Sequence, residues 1–212
     1  MSERRTPDPA LLAVARAAKG FMPEAEGLAL YDAALEAVQR AGGPLLEVGT
    51  YCGKSAVYLG AAAQAAGTVL FTVDHHRGSE ENQAGWDHHD LEVVDPATGR
   101  MDTLPFFRRT IEAAGLEDCV VGVIGQSAAV AAVWENPLGF VFIDGGHSEA
   151  IAMADYAGWA RHIRSGGLLA VHDVFERPED GGQGPFHVWE RAVADGFVPH
   201  AVTGSLRILA RL

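Results

Sequence analysis

The strongest constraint in this chain is an alternation: short apolar runs, each followed by a stretch in which apolar residues return every three or four positions. Pro44-Leu-Leu-Glu-Val48 precedes 54–66, and Val69-Leu-Phe-Thr-Val73 precedes a long irregular stretch and then 104–114. Cys119-Val-Val-Gly-Val-Ile124 precedes 127–134, Phe140-Val-Phe-Ile143 precedes 149–163, and Leu168-Leu-Ala-Val171 precedes a loop and then 186–194. Runs this short and this apolar suit strands buried on both faces, and the periodicity between them is that of amphipathic helices. Five such units in succession predict an α/β fold with a parallel sheet covered by helices on both sides. Two further strand-like runs, 197–202 and 206–209, joined by Thr203-Gly-Ser205, predict a closing hairpin with an antiparallel strand at the sheet edge. Upstream, 8–19 and 24–41 read as helices stopped by Gly20 and Gly42. Residues 1–42 are therefore expected to form a helical cap or subunit contact ahead of a domain spanning 43–212.

Two connections exceed plain turns. Residues 75–103 are rich in Gly, Asp, Glu and His around Trp86, and 174–185 carry Glu176, Arg177 and Asp180 among glycines and prolines. Loops this long in a compact domain are lids or binding loops unless they are disordered, and departure from the same sheet edge favours lids. The charge balance narrows the partners. With 28 acidic against 16 basic residues and a formal net charge of −12, the chain has no basic stripe to displace counterions from nucleic-acid phosphates. It has no attraction for an anionic membrane either. The two cysteines, Cys52 and Cys119, make neither a disulfide framework nor a zinc knuckle. No apolar run approaches the roughly 20 residues a bilayer span needs, and the N-terminal segment lacks the sustained apolar stretch of a signal peptide. A soluble, cytoplasmic, single-domain protein acting on a small molecule is what these features leave; a homodimer is expected as well, though no feature of the sequence shows it.

In a doubly wound sheet ligands bind beyond the carboxyl ends of the strands, so the residues there carry the chemistry. After the first run stands Glu47-Val-Gly49-Thr-Tyr51-Cys-Gly53-Lys-Ser55. Gly49 and Gly53 allow a sharp turn and close approach of a ligand to the backbone, and the following helix aims its N-terminus at that ligand. The spacing is not the dinucleotide fingerprint, because Tyr51 stands where the second glycine would be, and it is not a phosphate-binding Walker loop. Asp74 ends the second run, where a carboxylate can accept from two ribose hydroxyls. Ser127 opens the helix after the third run, as an adenine contact or simply a helix cap. Asp144-Gly-Gly-His147 follows the fourth run and His172-Asp173 the fifth. Asp144, His172 and Asp173 offer a divalent cation two carboxylates and an imidazole, and His147 beside them has the side chain of a general base. The simpler alternative makes Asp144 a helix cap and His172–Asp173 a hydrogen-bonded pair.

Leu46-Glu-Val-Gly-Thr-Tyr-Cys-Gly-Lys-Ser-Ala56, with Asp74 and Asp144, resembles the class I S-adenosylmethionine-dependent methyltransferases. Within them it is most similar to the metal-dependent O-methyltransferases of small molecules, and the likeness extends from about Pro44 to the C-terminus. The resemblance implies a Rossmann-like, seven-stranded sheet with an antiparallel C-terminal hairpin strand. It implies S-adenosylmethionine as cofactor, with Gly49, Tyr51 and Ser55 lining its methionine and ribose part, Asp74 on the ribose and Ser127 near the adenine. Glu47 and Asp144 belong to the same cofactor-binding set. Asp144, His172 and Asp173 are implied as ligands of a divalent metal, magnesium first. Two positions depart from the pattern. The catechol enzymes place a lysine three residues after the metal aspartate, where this chain has His147, an arrangement similar to that of macrolide-sugar methyltransferases. Position 172 is histidine where those relatives carry a carboxylate.

The stretch from Asp74 to Trp86 is similar to actinobacterial sugar-methylating members of the family. The acceptor this implies is a hydroxyl of a sugar or oligosaccharide, with the 1-hydroxyl of a methylated mannoside as one form. Trp86 is expected to stack on a sugar face, with His88, His89, Glu80 and Glu81 able to bond hydroxyls. Other readings stay open: a catechol or phenolic acceptor, a nicotinamide dehydrogenase on fold alone, a non-catalytic cofactor binder, and a second metal cluster of His75, His76, His88 and His89. Trp134, Trp159 and Trp189 fall on helical patterns, as core or subunit contacts, and Arg108 and Arg109 on a charged face.

Overall fold

A computed structural model of the chain describes residues 6–79 and 90–212. Helices α1 (Pro9–Ala17) and α2 (Glu24–Ala41) lead into β1 (Leu45–Val48), α3 (Lys54–Ala66) and β2 (Leu70–Asp74). A two-stranded ribbon follows, β3 (Val94–Asp95) with β4 (Arg100–Met101), then α4 (Leu104–Ala114), β5 (Val120–Ile124) and α5 (Ser127–Ala132). The chain continues through β6 (Leu138–Ile143), α6 (Glu149–Trp159), β7 (Ile163–Val171), α7 (Gly184–Ala194), β8 (Phe197–Thr203) and β9 (Leu206–Arg211). The main sheet has seven strands in the order β5-β2-β1-β6-β7-β9-β8. The first five pair in parallel, and β9 runs antiparallel to both β7 and β8. This is the α/β architecture expected from the alternation. The antiparallel strand, however, lies one position in from the edge, because the hairpin folds back so that β9 meets β7 and β8 takes the outside.

Successive side chains of a strand face opposite sides of the sheet, and the core divides accordingly. Phe140 and Phe142 of β6 join Leu45, Leu168 and Ile208 under α1, α2 and α3, where Leu30, Ala34, Leu59 and Ala62 meet them. Val141 and Ile143 join Leu46, Leu169 and Leu209 under α6 and α7, around the wholly buried Trp159. The two N-terminal helices thus form part of one of the two helical layers. Among the described residues no helix is long and apolar enough to cross a membrane.

One strand is longer than its apolar run. The helical pattern read over 149–163 overruns the helix: α6 ends at Trp159, a single 3₁₀ turn spans 160–162, and β7 begins at Ile163, ahead of the apolar run at 168–171. The pairing jumps from Leu138↔Ile163 to Phe140↔Leu168, so the intervening Arg164-Ser-Gly-Gly167 forms a bulge. Gly166 adopts φ +82° there. A bulge hides the two-residue period by which a strand is recognised.

The sheet order reverses at β1, whose neighbours β2 and β6 lead to opposite halves. The crevice at such a switch point is where α/β sheets bind ligands. Here it is narrow: Gly49, at φ +86°, would place a Cβ only 2.1 Å from the Asp144 carbonyl oxygen. Asp144 N–H donates to Val48 O at 2.9 Å and Gly49 N–H to Val73 O at 3.1 Å, so the three loops leave the sheet in register. Gly49→Ala combines a left-handed backbone with a backbone clash. We expect a destabilisation of roughly 2–5 kcal/mol, read as a lowered urea midpoint at unchanged slope.

Candidate active site

The turn after β1 is built around two carboxylates. Asp74, at the end of β2, accepts from Thr50 N–H and Tyr51 N–H through Oδ2, both at 2.9 Å, and from His76 N–H through Oδ1 at 2.7 Å. An ionised carboxylate has about four acceptor sites, so these three bonds hold the turn and leave limited capacity for a ligand's hydroxyls. Tyr51 is held at φ +51°, with its ring 5.6 Å from that of Phe21, in the segment between α1 and α2. Glu47, one residue before the end of β1, is wholly buried, and neither carboxyl oxygen meets hydrogen-bond geometry. Burial pushes it up to about 8; Asp144 and Asp74 add to the shift, while the nearby Ser55 and Thr50 hydroxyls counter it in part. The first turn of α3 has no side-chain cap, which leaves N–H groups and the positive end of the helix dipole available where the Gly49 turn ends. Ser55 is buried at its start.

The ends of β6 and β7 bring Asp144, His147 and Asp173 together: one ligand atom from each lies within 4.8 Å of the others, and all three residues are partly exposed. His147 Nε2 is 3.1 Å from Asp173 Oδ2. Asp173 sits in a left-handed backbone, φ +53°, which turns its carboxylate back toward the crevice. Burial works against its ionisation, but hydrogen bonds from His147 and His172 outweigh it and hold the group below the usual carboxylate range. Asp144 moves the other way: burial raises it, opposed by His172.

His172 is held against carboxylates at both ring nitrogens. Its side chain is 4% exposed. Nε2 is 2.5 Å from Glu26 Oε2, and Nδ1 is 3.0 Å from Asp144 Oδ1 and 3.3 Å from Asp173 Oδ2. With both ring nitrogens facing carboxylates, it acts as a brace between them, and the imidazole grouped with Asp144 and Asp173 is that of His147. Burial disfavours charge on His172, but Asp144 and Asp173 outweigh it and raise its pKa to about 11. A folded-state value above the ordinary 6.5 stabilises the fold fully below pH 6.5, with the gain lost as pH climbs toward 11. In metal-stripped protein the melting temperature should therefore fall from pH 7 to pH 10. The fall should be shallower in His172→Gln; equal slopes would contradict the assignment.

The remaining expectations divide. Ser127 is the first residue of α5 rather than its cap, and its Oγ accepts from Trp159 Nε1 at 2.8 Å. Trp134 and Trp159 meet edge-on at 5.5 Å and Trp189 stacks on Phe186 at 5.8 Å, all in packing contacts. Arg109 lies over the Phe106 ring at 4.5 Å. His76 is buried with Nδ1 2.8 Å from Thr103 Oγ1. Trp86, His88, His89, Glu80 and Glu81 lie outside the described residues, as does any cluster that needs His88 and His89. The second long loop packs on the site: a Cβ at Gly182 would lie 3.3 Å from His147 Cβ, and one at Gly184 2.4 Å from His147 O.

Two contributions were missed. Lys19, after α1, pairs with Asp90 at 2.6 Å and Glu92 at 2.5 Å, tying the end of the first long loop to the N-terminal segment. Glu26 reaches the site from α2. Its signal was present in the sequence, since it shares a helical face with Leu30, Ala33, Ala34 and Ala37, where a carboxylate needs partners to be buried.

A model of the family described as "Methyltransferase domain" matches residues 46–174, from β1 past the end of β7. The chain belongs to this methyltransferase family. The matched span contains the glycine turn, Asp74, Asp144, His147, His172 and Asp173. The methyltransferase also shares its fold with solved structures of low sequence identity. The O-methyltransferase TomG of Streptomyces achromogenes, involved in tomaymycin synthesis and solved with SAM, is 18% identical, with 100% of this chain and 93% of that chain aligned and a TM-score of 0.63. An O-methyltransferase of Bacillus cereus, in complex with SAH, is 18% identical over 99% of this chain and 94% of that one, at 0.63. The O-methyltransferase NovP is 12% identical over 86% and 78%, at 0.66. At these identities the comparison bears on architecture. The α2 segment carrying Glu26 lies ahead of the matched span.

Proposed function

We propose that the protein is an S-adenosylmethionine-dependent O-methyltransferase that activates a hydroxyl of a sugar or oligosaccharide with Asp144, Asp173 and His147. The observation that carries this reading is the convergence of those three side chains at the strand ends, across the crevice from the turn at Gly49.

The donor fits the residues around that turn. S-adenosylmethionine, when bound, supplies a methyl group on a sulfonium that is already a good leaving group. Asp74 and Asp144 set acidic groups beside the turn, suited to a sulfonium and an ammonium, and the orphaned Glu47 oxygens mark unsatisfied acceptor capacity there. The uncapped first turn of α3 favours the carboxylate of an amino-acid moiety. Tyr51 crowds the route a dinucleotide pyrophosphate would take.

The cluster also fits a divalent cation. Two carboxylates suit a hard ion such as magnesium, with Asp144 and Asp173 as its protein ligands and His147 left uncoordinated beside them. A bound cation would stabilise an alkoxide at neutral pH. The protein's own part is alignment and proton removal. Asp144 and Asp173 orient the acceptor hydroxyl toward the donor methyl, and in-line alignment supplies much of the rate. His147, hydrogen-bonded to Asp173, takes the proton as the new C–O bond forms. Gly182 and Gly184 let the second loop pack closely against His147.

A phenolic acceptor is the second reading, favoured by the same carboxylate pair; His147 in place of a lysine supports the sugar reading. Transfer of labelled methyl across a panel of oligosaccharides and catechols, each with and without magnesium, separates them. Product on sugars only is expected, and product on catechols only would overturn the acceptor class.

A further inference from the structure

The strand-end group is anchored from a helix that precedes the sheet. Glu26 lies in the first turn of α2 and is 5% exposed. Oε2 is 2.5 Å from His172 Nε2, and Oε1 accepts from Ser205 N–H at 2.8 Å. The fold makes room for this carboxylate at several points. Gly27 lets α2 seat against α3, since a Cβ there would lie 2.4 Å from the Tyr58 ring. Gly204, in the turn between β8 and β9 at φ +54°, would drive a Cβ to 2.0 Å from Glu26 Oε1. Ser205 Oγ bridges Glu26 and Asp173, at 3.3 Å from Glu26 Oε2 and 3.4 Å from Asp173 Oδ1. A Ser205-bearing turn and an N-terminal helix thus converge on one buried carboxylate, from positions 179 residues apart.

From Glu26 the contacts run in one line. His172 passes from Nε2 to Nδ1, which meets Asp144 at 3.0 Å and Asp173 at 3.3 Å, and Asp173 meets His147 at 3.1 Å. An imidazole held at one nitrogen can swing about its χ2 angle; held at both, it is a rigid strut. We infer that Glu26 is a positioning residue for methyl transfer: by locking the His172 ring it fixes the two carboxylates that orient the acceptor and, through Asp173, the imidazole of His147. This rests on the roles proposed above for Asp144, Asp173 and His147. A mere staple between α2 and the sheet would instead lower stability, cofactor binding and rate together.

Glu26→Gln keeps the volume but offers one acceptor where two donors point, so the ring loses its fixed partner. Gly204→Ala displaces the same carboxylate without altering any group in the line. Both variants are compared with the parent full-length protein for kcat and KM, for S-adenosylhomocysteine affinity by calorimetry, for melting temperature, and for imidazole signals of ¹⁵N-histidine-labelled protein at one fixed pH. We expect kcat to fall roughly 10- to 100-fold in Glu26→Gln, as misplacement of reacting groups by up to about 1 Å does. S-adenosylhomocysteine affinity should stay within about threefold (~0.7 kcal/mol at 1.36 kcal/mol per decade). The signals of both His172 and His147 should move, with Gly204→Ala shifting all readouts in the same direction. A kcat within about twofold of the parent, a loss that merely tracks unfolding, or a spectral change confined to His172 would overturn the inference. Should the parent methylate no hydroxyl at all, the functional reading fails, and the His147 signal still decides whether Glu26 reaches it.

Discussion

Replacement of His147 by alanine is expected to reduce turnover by roughly 10²–10⁴-fold, the usual contribution of a positioned general base. Affinity for S-adenosylhomocysteine should barely change. The separation of the two effects follows from where the ring sits. His147 Nε2 faces Asp173 at 3.1 Å, on the side of the crevice proposed for the acceptor, whereas the donor is proposed to lie against Glu47, the Gly49 turn and Asp74. The ring is also backed by Gly182 and Gly184, so its removal leaves a partly exposed gap rather than a collapsed core. Single-turnover rates with preloaded donor, alongside calorimetry, give both quantities. A variant as fast as the parent would remove His147 from the chemistry. A variant that no longer binds the demethylated donor would mean that the ring serves the cofactor instead.

Asp144→Asn should be comparably severe. The amide keeps the side chain's size and can still accept from His172 Nδ1, so the fold should persist. It removes one of the two negative charges proposed to hold a cation against the acceptor oxygen. Lewis-acid stabilisation of an alkoxide is worth several kcal/mol, which at 1.36 kcal/mol per decade is a loss on the order of 10³-fold. The loss should appear in kcat/KM for the acceptor, and added magnesium should no longer stimulate what remains. Full parental activity in the presence of a strong chelator would contradict the cation's role, whatever the variant does.

The architecture was legible because each apolar run is long enough to fill a strand and each helical stretch carries one period. The end of α4 at Ala114 and the whole of α3 coincide with the sequence pattern for this reason. The start of β7 was not, because the Ser-Gly-Gly bulge breaks alternation where the strand begins. The strand-end rule likewise directed attention to the residues after β6 and β7, where Asp144, His147 and Asp173 lie together. It could not assign the two histidines. His172 meets Glu26, 146 residues away, and no local pattern encodes such a contact. Asp74 teaches a related lesson. Its position at the end of β2 suits a ribose ligand, yet three backbone N–H groups already share its oxygens. A carboxylate's location can be read from a sequence more readily than its remaining hydrogen-bond capacity.

The central claim is that the acid–imidazole group beside the Gly49 turn moves a methyl group from sulfur to a hydroxyl oxygen. The most direct measurement is incubation of the protein with ¹³C-methyl-labelled S-adenosylmethionine, magnesium and a panel of hydroxylated acceptors, followed by carbon NMR of the products. The account predicts a labelled methyl ether formed one-for-one with S-adenosylhomocysteine, in the parent and not in Asp144→Asn. Label on nitrogen, carbon or sulfur, or donor bound tightly with no hydroxyl ever methylated, would contradict it.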